Sequence, residues 1–251
     1  MAAAEADRAR EWVHAAQAAV CDVIEPWEHG TVVRATRHPT YWDYNVVRIE
    51  EDVEIAADEL VRVADAGLDG LAHRRVGHEF AARGEPIRAD LERRGWKTTR
   101  LVWMLHAGAP PAEHGLDAEQ VHYDTVRHLR LAWLNEDFPT VEVTDHLDEA
   151  REVDMLRNPQ VFAAFERHRP IGFAQLEHAG GSAEISSVFV EREQRGRGLG
   201  TALTKAAIGA AGEVDDLWIV ADDEDRPKEL YARLGFRPAW RLLDFLRVPG
   251  T

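Results

Sequence analysis

The 251-residue chain has a single cysteine, Cys21. No internal disulfide can form, and a Cys-rich zinc site is excluded. One cysteine in this length fits a reducing cytoplasm, which is the location expected here. Long hydrophobic runs are also missing. The most apolar stretches, Leu101 to Leu105 and Ala206 to Ala211, fall far short of the roughly 18 residues that cross a bilayer. The first eight residues, Met-Ala-Ala-Ala-Glu-Ala-Asp-Arg, carry early acids and no apolar stretch, so they do not read as a signal peptide. Basic residues are outnumbered: 30 Lys and Arg stand against 45 Asp and Glu, a net charge of −15. Such a surface repels nucleic acid and anionic membrane, and it attracts cations. The histidines, among them His73, His78, His114 and His122, show no metal-ligand spacing, so no metal site is expected.

What is present is ordinary globular composition, 45% apolar and 30% charged, in a length that makes one large domain or two small ones. Helices are expected over 3–20, 54–66, 86–94, 126–135, 145–156, 201–211 and 227–234. Strands are expected over 31–36, 44–49, 98–105, 119–125, 161–167, 171–179, 182–190, 217–221 and 241–248, with turns at Arg169-Pro170 and Gly180-Gly181. The Gly- and Pro-dense stretch from His106 to Gly115 reads as a linker. A weak repeat is visible: a helix, then Gly95-Trp96-Lys97 and a strand, echoed by a helix, then Gly235-Phe236-Arg237 and a strand.

The stretch that carries chemistry is Val188-Phe-Val-Glu-Arg-Glu-Gln-Arg-Gly-Arg-Gly-Leu-Gly-Thr201. A strand enters a turn with Gly196, Gly198 and Gly200, and the turn opens a helix. Glycines let the backbone curl and a ligand come close. The helix start adds unpaired N–H groups and a positive dipole end. Arg192, Arg195 and Arg197 add charge of the same sign. The sum reads as a pyrophosphate cradle. It is not a dinucleotide-binding G-x-G-x-x-G, because Thr201 stands where the last Gly belongs. It is not a P-loop, because no Gly-Lys-Ser/Thr follows.

Arg195-Gly-Arg-Gly198-Leu-Gly200 resembles the R/Q-x-x-G-x-G/A signature of the GNAT superfamily of acetyl-CoA-dependent N-acetyltransferases. Pro227-Lys-Glu-Leu-Tyr231-Ala-Arg-Leu-Gly235-Phe236 looks like that family's second signature. The resemblance covers about residues 119–251. It implies an α+β fold, a mixed and mostly antiparallel sheet flanked by helices. With the repeat, it implies two GNAT-like domains in tandem: 1–105 a degenerate domain without a CoA loop, 106–118 a linker, and 119–251 the catalytic domain. By the same resemblance, Val188, Phe189 and Val190 would pair with the pantetheine arm of acetyl-CoA. Arg195, Gly196, Arg197, Gly198, Leu199, Gly200 and Thr201 would hold its pyrophosphate. Tyr231 would be the general acid for the leaving thiolate.

Glu184, on the strand before the loop, is the expected general base, where histone-type members of the family carry theirs; His178 is the weaker choice. One departure concerns Ala221-Asp-Asp-Glu-Asp225, where many members have Asn before the Leu-Tyr helix. Asp225 reads as a cap, and Asp222 and Asp223 stay open as amine ligands. In the first half, Glu50-Glu-Asp-Val-Glu54 would repel a pyrophosphate, and Leu91 falls at the repeat's counterpart of Tyr231. This half is expected to complete the sheet and wall the substrate cleft. Tyr41-Trp42-Asp43-Tyr44 either packs the interface or lines that cleft.

The expected function is acetyl transfer from acetyl-CoA to a primary amine by direct attack in a ternary complex, with Cys21 too far from the motif for a covalent route. The net charge points to a cationic small-molecule or peptide acceptor, and not to nucleic acid or membrane. The alternative is a non-catalytic acyl-CoA sensor, and longer acyl groups remain open. Oligomeric state is not legible.

Overall fold

The computed structural model describes residues 2–108 and 118–248. The expected linker, 106–118, lies largely outside them. In chain order the strands are β1 (Val23–Trp27), β2 (Gly30–Arg34), β3 (Val46–Ile49), β4 (Arg74–His78), β5 (Lys97–His106), β6 (Glu119–Val121), β7 (Gln160–Glu166), β8 (Arg169–Ala179), β9 (Ser182–Val190), β10 (Leu217–Asp222) and β11 (Phe236–Arg247). The helices are α1 (Ala2–Ala18), α2 (Ala57–Gly67), α3 (Ala81–Gly84), α4 (Arg88–Arg93), α5 (Arg127–Asp137), α6 (Thr144–Leu156), α7 (Leu199–Ala211) and α8 (Pro227–Arg233). None is long and apolar enough to cross a membrane.

All eleven strands form one mixed sheet, in the order β1-β2-β3-β4-β11-β5-β10-β9-β8-β7-β6. The two halves repeat each other. β1, β2 and β3 run antiparallel and β3 then pairs parallel with β4. β7, β8 and β9 run antiparallel and β9 then pairs parallel with β10. Each half next makes a short helix, α4 or α8, that stops at a glycine of positive φ, Gly95 or Gly235. At Gly235 no side chain would fit easily, because a Cβ would lie 3.1 Å from the Cα of Gly108.

The strands after those glycines are exchanged. β5, from the first half, pairs with β10 of the second, and β11 pairs with β4 of the first. Between them β5 and β11 form a long antiparallel ladder, from Phe236 opposite His106 to Leu246 opposite Lys97.

Strand alternation gives the sheet two faces. One carries Val102, Met104, Leu243 and Phe245, and packs against α7 and α8 at one end and α2 and α4 at the other. The opposite face carries Trp103, Leu105 and Trp218, and α1 lies over it through Ala9 and Trp12. Two ion pairs tie α1 to the second half: Arg8 grips Asp216, and Glu5 receives two N–H bonds from Arg237.

Several elements differ from the sequence reading, among them α3 and the 3-10 turn at Tyr123–Val126 that cuts the strand expected over 119–125 short at Val121. β1 and β4 carry too much charge, proline or glycine to read as strands. Tyr41 to Asn45 makes a short 3-10 turn, not the start of β3. Asp225 sits one residue before the cap of α8 and accepts the N–H of Arg226, so it is not itself the cap.

Leu243 is fully buried on an exchanged strand. Leu243→Ala should cost about 2–5 kcal/mol, read from urea unfolding. Fluorescence and circular dichroism should report one shared transition. Two separate transitions would contradict the single exchanged sheet.

Candidate active site

β9 and β10 pair only through Ala183, Glu184 and Ile185. Beyond Ile219, β10 follows β5 instead. The last part of β9 is bonded on its β8 side alone, with an irregularity where Ser186 is passed over. Val188 to Val190 therefore present an open backbone edge. Phe189 turns its ring toward Trp133 and Phe173, while Val188 and Val190 pack toward the α7 side.

The open edge leads into the glycine turn. Gly198 caps α7 at φ 82°, a left-handed conformation that favours glycine, and a Cβ there would meet nothing within 4 Å. The first backbone bond into the helix runs from Ala202 to the Gly198 carbonyl at 3.0 Å. The N–H groups of Leu199, Gly200 and Thr201 thus start the helix without intrahelical partners. Arg195 is held by Glu136 through two 2.8 Å bonds, and Arg197 by Glu166 at 3.0 Å. These pairs are half exposed and weak, so the arginines position the turn more than they add net charge. The turn's chemistry rests on its amides.

At the corresponding place in the first half, β3 runs into Glu50, Glu51, Asp52 and Glu54, and α2 starts with Asp58 and Glu59. No glycine turn is present there among the described residues. Leu91, the counterpart of Tyr231, is fully buried in the core beneath α2.

On the α1 face, a cavity of about 520 Å³ lies between the halves. β5 and β11 form its floor, and α1, α6 and the turn at Tyr41 to Tyr44 form its walls. It reaches β9 at Glu184, Ser186 and Ser187. Three of the four tyrosines, Tyr41, Tyr44 and Tyr123, line it. So does the whole Tyr41-Trp42-Asp43-Tyr44 cluster, which also packs the interface, with Trp42 against Phe138 and His146 and Tyr41 against His146.

Glu184 is a buried carboxylate in the lining of this cavity. Its side chain accepts the indole N–H of Trp12 at 2.6 Å and has no ion-pair partner among the described residues. Burial pushes its pKa up to about 7, and the Glu177 carboxylate pushes the same way. Glu177 is bonded by Arg157 at 2.7 Å, by Gln175 at 2.6 Å and by the Ser186 hydroxyl at 2.9 Å. Asp154 accepts the Tyr123 hydroxyl at 2.7 Å, and burial raises it to about 6. Trp12, Glu177 and Arg157 were missed in the sequence. They lie on α1, β8 and the end of α6, and no local pattern links them to Glu184.

Tyr231 lies on the other face of the sheet, 6% exposed, among the apolar side chains under α7 and α8. Its hydroxyl makes no hydrogen bond among the described residues, and burial raises its pKa. It does not share the cavity with Glu184. His178 points away, toward the Ala211 carbonyl at 3.3 Å. Asp223 is closed off by Arg100, Arg241 and Lys228. Asp223 is therefore not left as a ligand for an amine. Asp222 accepts the Glu224 N–H.

An open strand edge thus leads to an amide-lined helix start, beside a cavity with a buried carboxylate. Residues 124–236 match the model of the Acetyltransferase (GNAT) family. That segment is a GNAT acetyltransferase domain, and the first half repeats its strand order in tandem. No curated protein matches the sequence.

Among solved structures, a functionally unknown conserved protein from Staphylococcus epidermidis ATCC 12228 shares the fold at TM-score 0.68 and 14% identity, over 91% of this chain and 94% of its own. A GCN5-related N-acetyltransferase from Sphaerobacter thermophilus is similar at 0.49 and 18% identity, over 72% of this chain and 62% of its own. A tandem GNAT protein from the clavulanic acid biosynthesis pathway is similar at 0.46 and 16%, over 74% and 67%.

The raised pKa of Glu184 sets a stability trend. Between its ordinary 4.5 and about 7, the unfolded chain releases the proton while the folded chain keeps it. Stability therefore falls as pH rises through that window. Glu184→Gln should flatten the fall in urea midpoints, leaving the smaller trend from Asp154. An unchanged slope would mean that Glu184 is ionised in the folded protein.

Proposed function

We propose that the protein is an N-acetyltransferase that moves an acetyl group from acetyl-CoA to a primary amine by direct attack in a ternary complex. The observation that carries this reading is the junction of β9. Its open edge and glycine turn lie on the same strand as Glu184, which faces a cavity large enough for an acceptor. The residues present fit acetyl-CoA. The space beside Gly196 and Gly198 is open, and the turn offers amides where a pyrophosphate needs donors. Arg195 to Thr201 would hold the pyrophosphate, and Val188, Phe189 and Val190 the pantetheine arm. When bound, acetyl-CoA supplies a thioester carbonyl as the electrophile and a thiol as the leaving group.

Glu184 takes the proton from the substrate ammonium, leaving the nitrogen lone pair free to attack. A carboxylate with pKa about 7 is matched to proton transfer near neutral pH. Tyr231 gives its phenolic proton to the departing sulfur; its apolar surroundings keep it protonated until then. Glu184 and Tyr231 lie on opposite faces of the sheet. Cys21 takes no part: it is buried against the Tyr44 carbonyl, outside the cavity lining, with its thiol pushed up to about 12. Residues 1–105 act as a degenerate domain that walls the acceptor cavity, 106–118 as the linker and 119–251 as the catalytic domain. A buried carboxylate that faces the cavity favours this reading over a CoA sensor.

Two variants test the two parts. Gly198→Glu should abolish the rise in melting temperature that acetyl-CoA gives the wild type. Glu184→Gln should keep that rise and lose roughly 10²–10⁴-fold in kcat/KM, followed by thiol release. No rise in the wild type would remove the CoA site, and full activity in Glu184→Gln would remove the base.

A further inference from the structure

We infer that the acceptor carries two cationic groups, and that Asp43 of the first half holds the second one. The inference rests on the amine-acetylation reading and names the substrate class of the same site. It comes from matching charges in the cavity. Most lining carboxylates have a cation of their own. Glu177 has Arg157 and Asp154 has Arg130 at 3.7 Å; the buried Glu79 has His14 at 2.6 Å and shares Arg10, at 3.5 Å, with Asp7 outside the cavity. Arg48 is tied to Glu50 at 2.8 Å. Lys97, over the Phe138 ring, and the exposed Asp137 are one of each sign.

Two places are left in excess. Glu184 has only an indole N–H. Asp43 and Asp244 share a single guanidinium, Arg75, which lies 2.8 Å from Asp244 and also bonds Asp43. Glu184 comes from β9, and the Asp43 pole comes from the first half.

The Asp43 pole is open and aromatic. The Asp43 side chain is 47% exposed, against 3% for Glu177 and 12% for Asp154. Tyr41, Trp42 and Tyr44 flank it in sequence and line the same cavity. His146, 4.5 Å from the Trp42 ring, has its pKa lowered, chiefly by burial. A carboxylate beside aromatic faces is a setting in which an ammonium gains from both. The two poles also feel each other, since the Asp43 charge adds to the upward push on Glu184. A second cation at Asp43 would offset that push and so favour the ionised, proton-accepting form of Glu184.

A matched series tests this on the full chain. The α,ω-diaminoalkanes from diaminopropane to diaminohexane are titrated calorimetrically against n-alkylamines of equal length, without acetyl-CoA. The same compounds are then run as acceptors by thiol release. At least one diamine should bind about tenfold tighter than its monoamine, and the ω-aminoalkanoates should bind most weakly. In Asp43→Asn the ratio of diamine to monoamine should fall toward one, with the acetyl-CoA melting shift retained as the check on folding. Equal binding of diamines and monoamines, no diamine binding, or an unchanged ratio in Asp43→Asn would overturn the inference. Turnover of monoamines as fast as diamines would overturn it too, while leaving acetyl transfer intact. Diamine-selective binding without thiol release would support the cavity assignment and sink acetyl transfer to amines.

Discussion

The antiparallel ladder between β5 and β11 is the constraint on which the rest depends. Each strand is made by one half and completes the sheet of the other. The ladder places the two halves back to back about its centre. It also brings α1 and the Tyr41–Tyr44 turn over the same sheet face as Glu184. Without the exchange, the second half would keep its glycine turn but lose one wall of its cavity.

The exchange also explains how a buried carboxylate is tolerated. Burying an unpaired charge is costly, and a group so placed keeps its proton instead. Burial and the nearby Glu177 push Glu184 that way, while the Trp12 N–H favours the ionised form. The balance leaves it poised near neutrality. Trp12 comes from the first half, and Arg8–Asp216 and Glu5–Arg237 fix the helix that carries it. The first half therefore does more than fill space: it supplies the hydrogen bond that tunes the proposed base.

Much of this was legible in the sequence, and for identifiable reasons. The glycine turn shows because positive φ needs glycine, and because glycines before a helix form a short-range pattern. The helix–glycine–aromatic–strand repeat marks the two exchanged strands. Their exchange does not show, since the apolar pattern of β5 fits several neighbours equally well. β1 hid behind Pro26 and an exposed, charged edge. β4 hid because Arg74 and Arg75 look like surface residues, while the fold neutralises them with Asp65, Asp43 and Asp244. Glu184 was legible only as a candidate; Trp12 sits in an Ala-rich helix with nothing local to distinguish it. The net charge gave only the expectation of a cationic acceptor and could not single out Glu184 or Asp43.

The central claim is that one active site is built from both halves, and the pH dependence of kcat/KM in Trp12→Phe tests it most directly. Losing the indole N–H removes a bond that favours ionised Glu184. The acid limb of the profile should move to higher pH than in the wild type, with the acetyl-CoA melting shift unchanged. An acid limb that stays in place would mean that the first half does not reach the proton-transfer step.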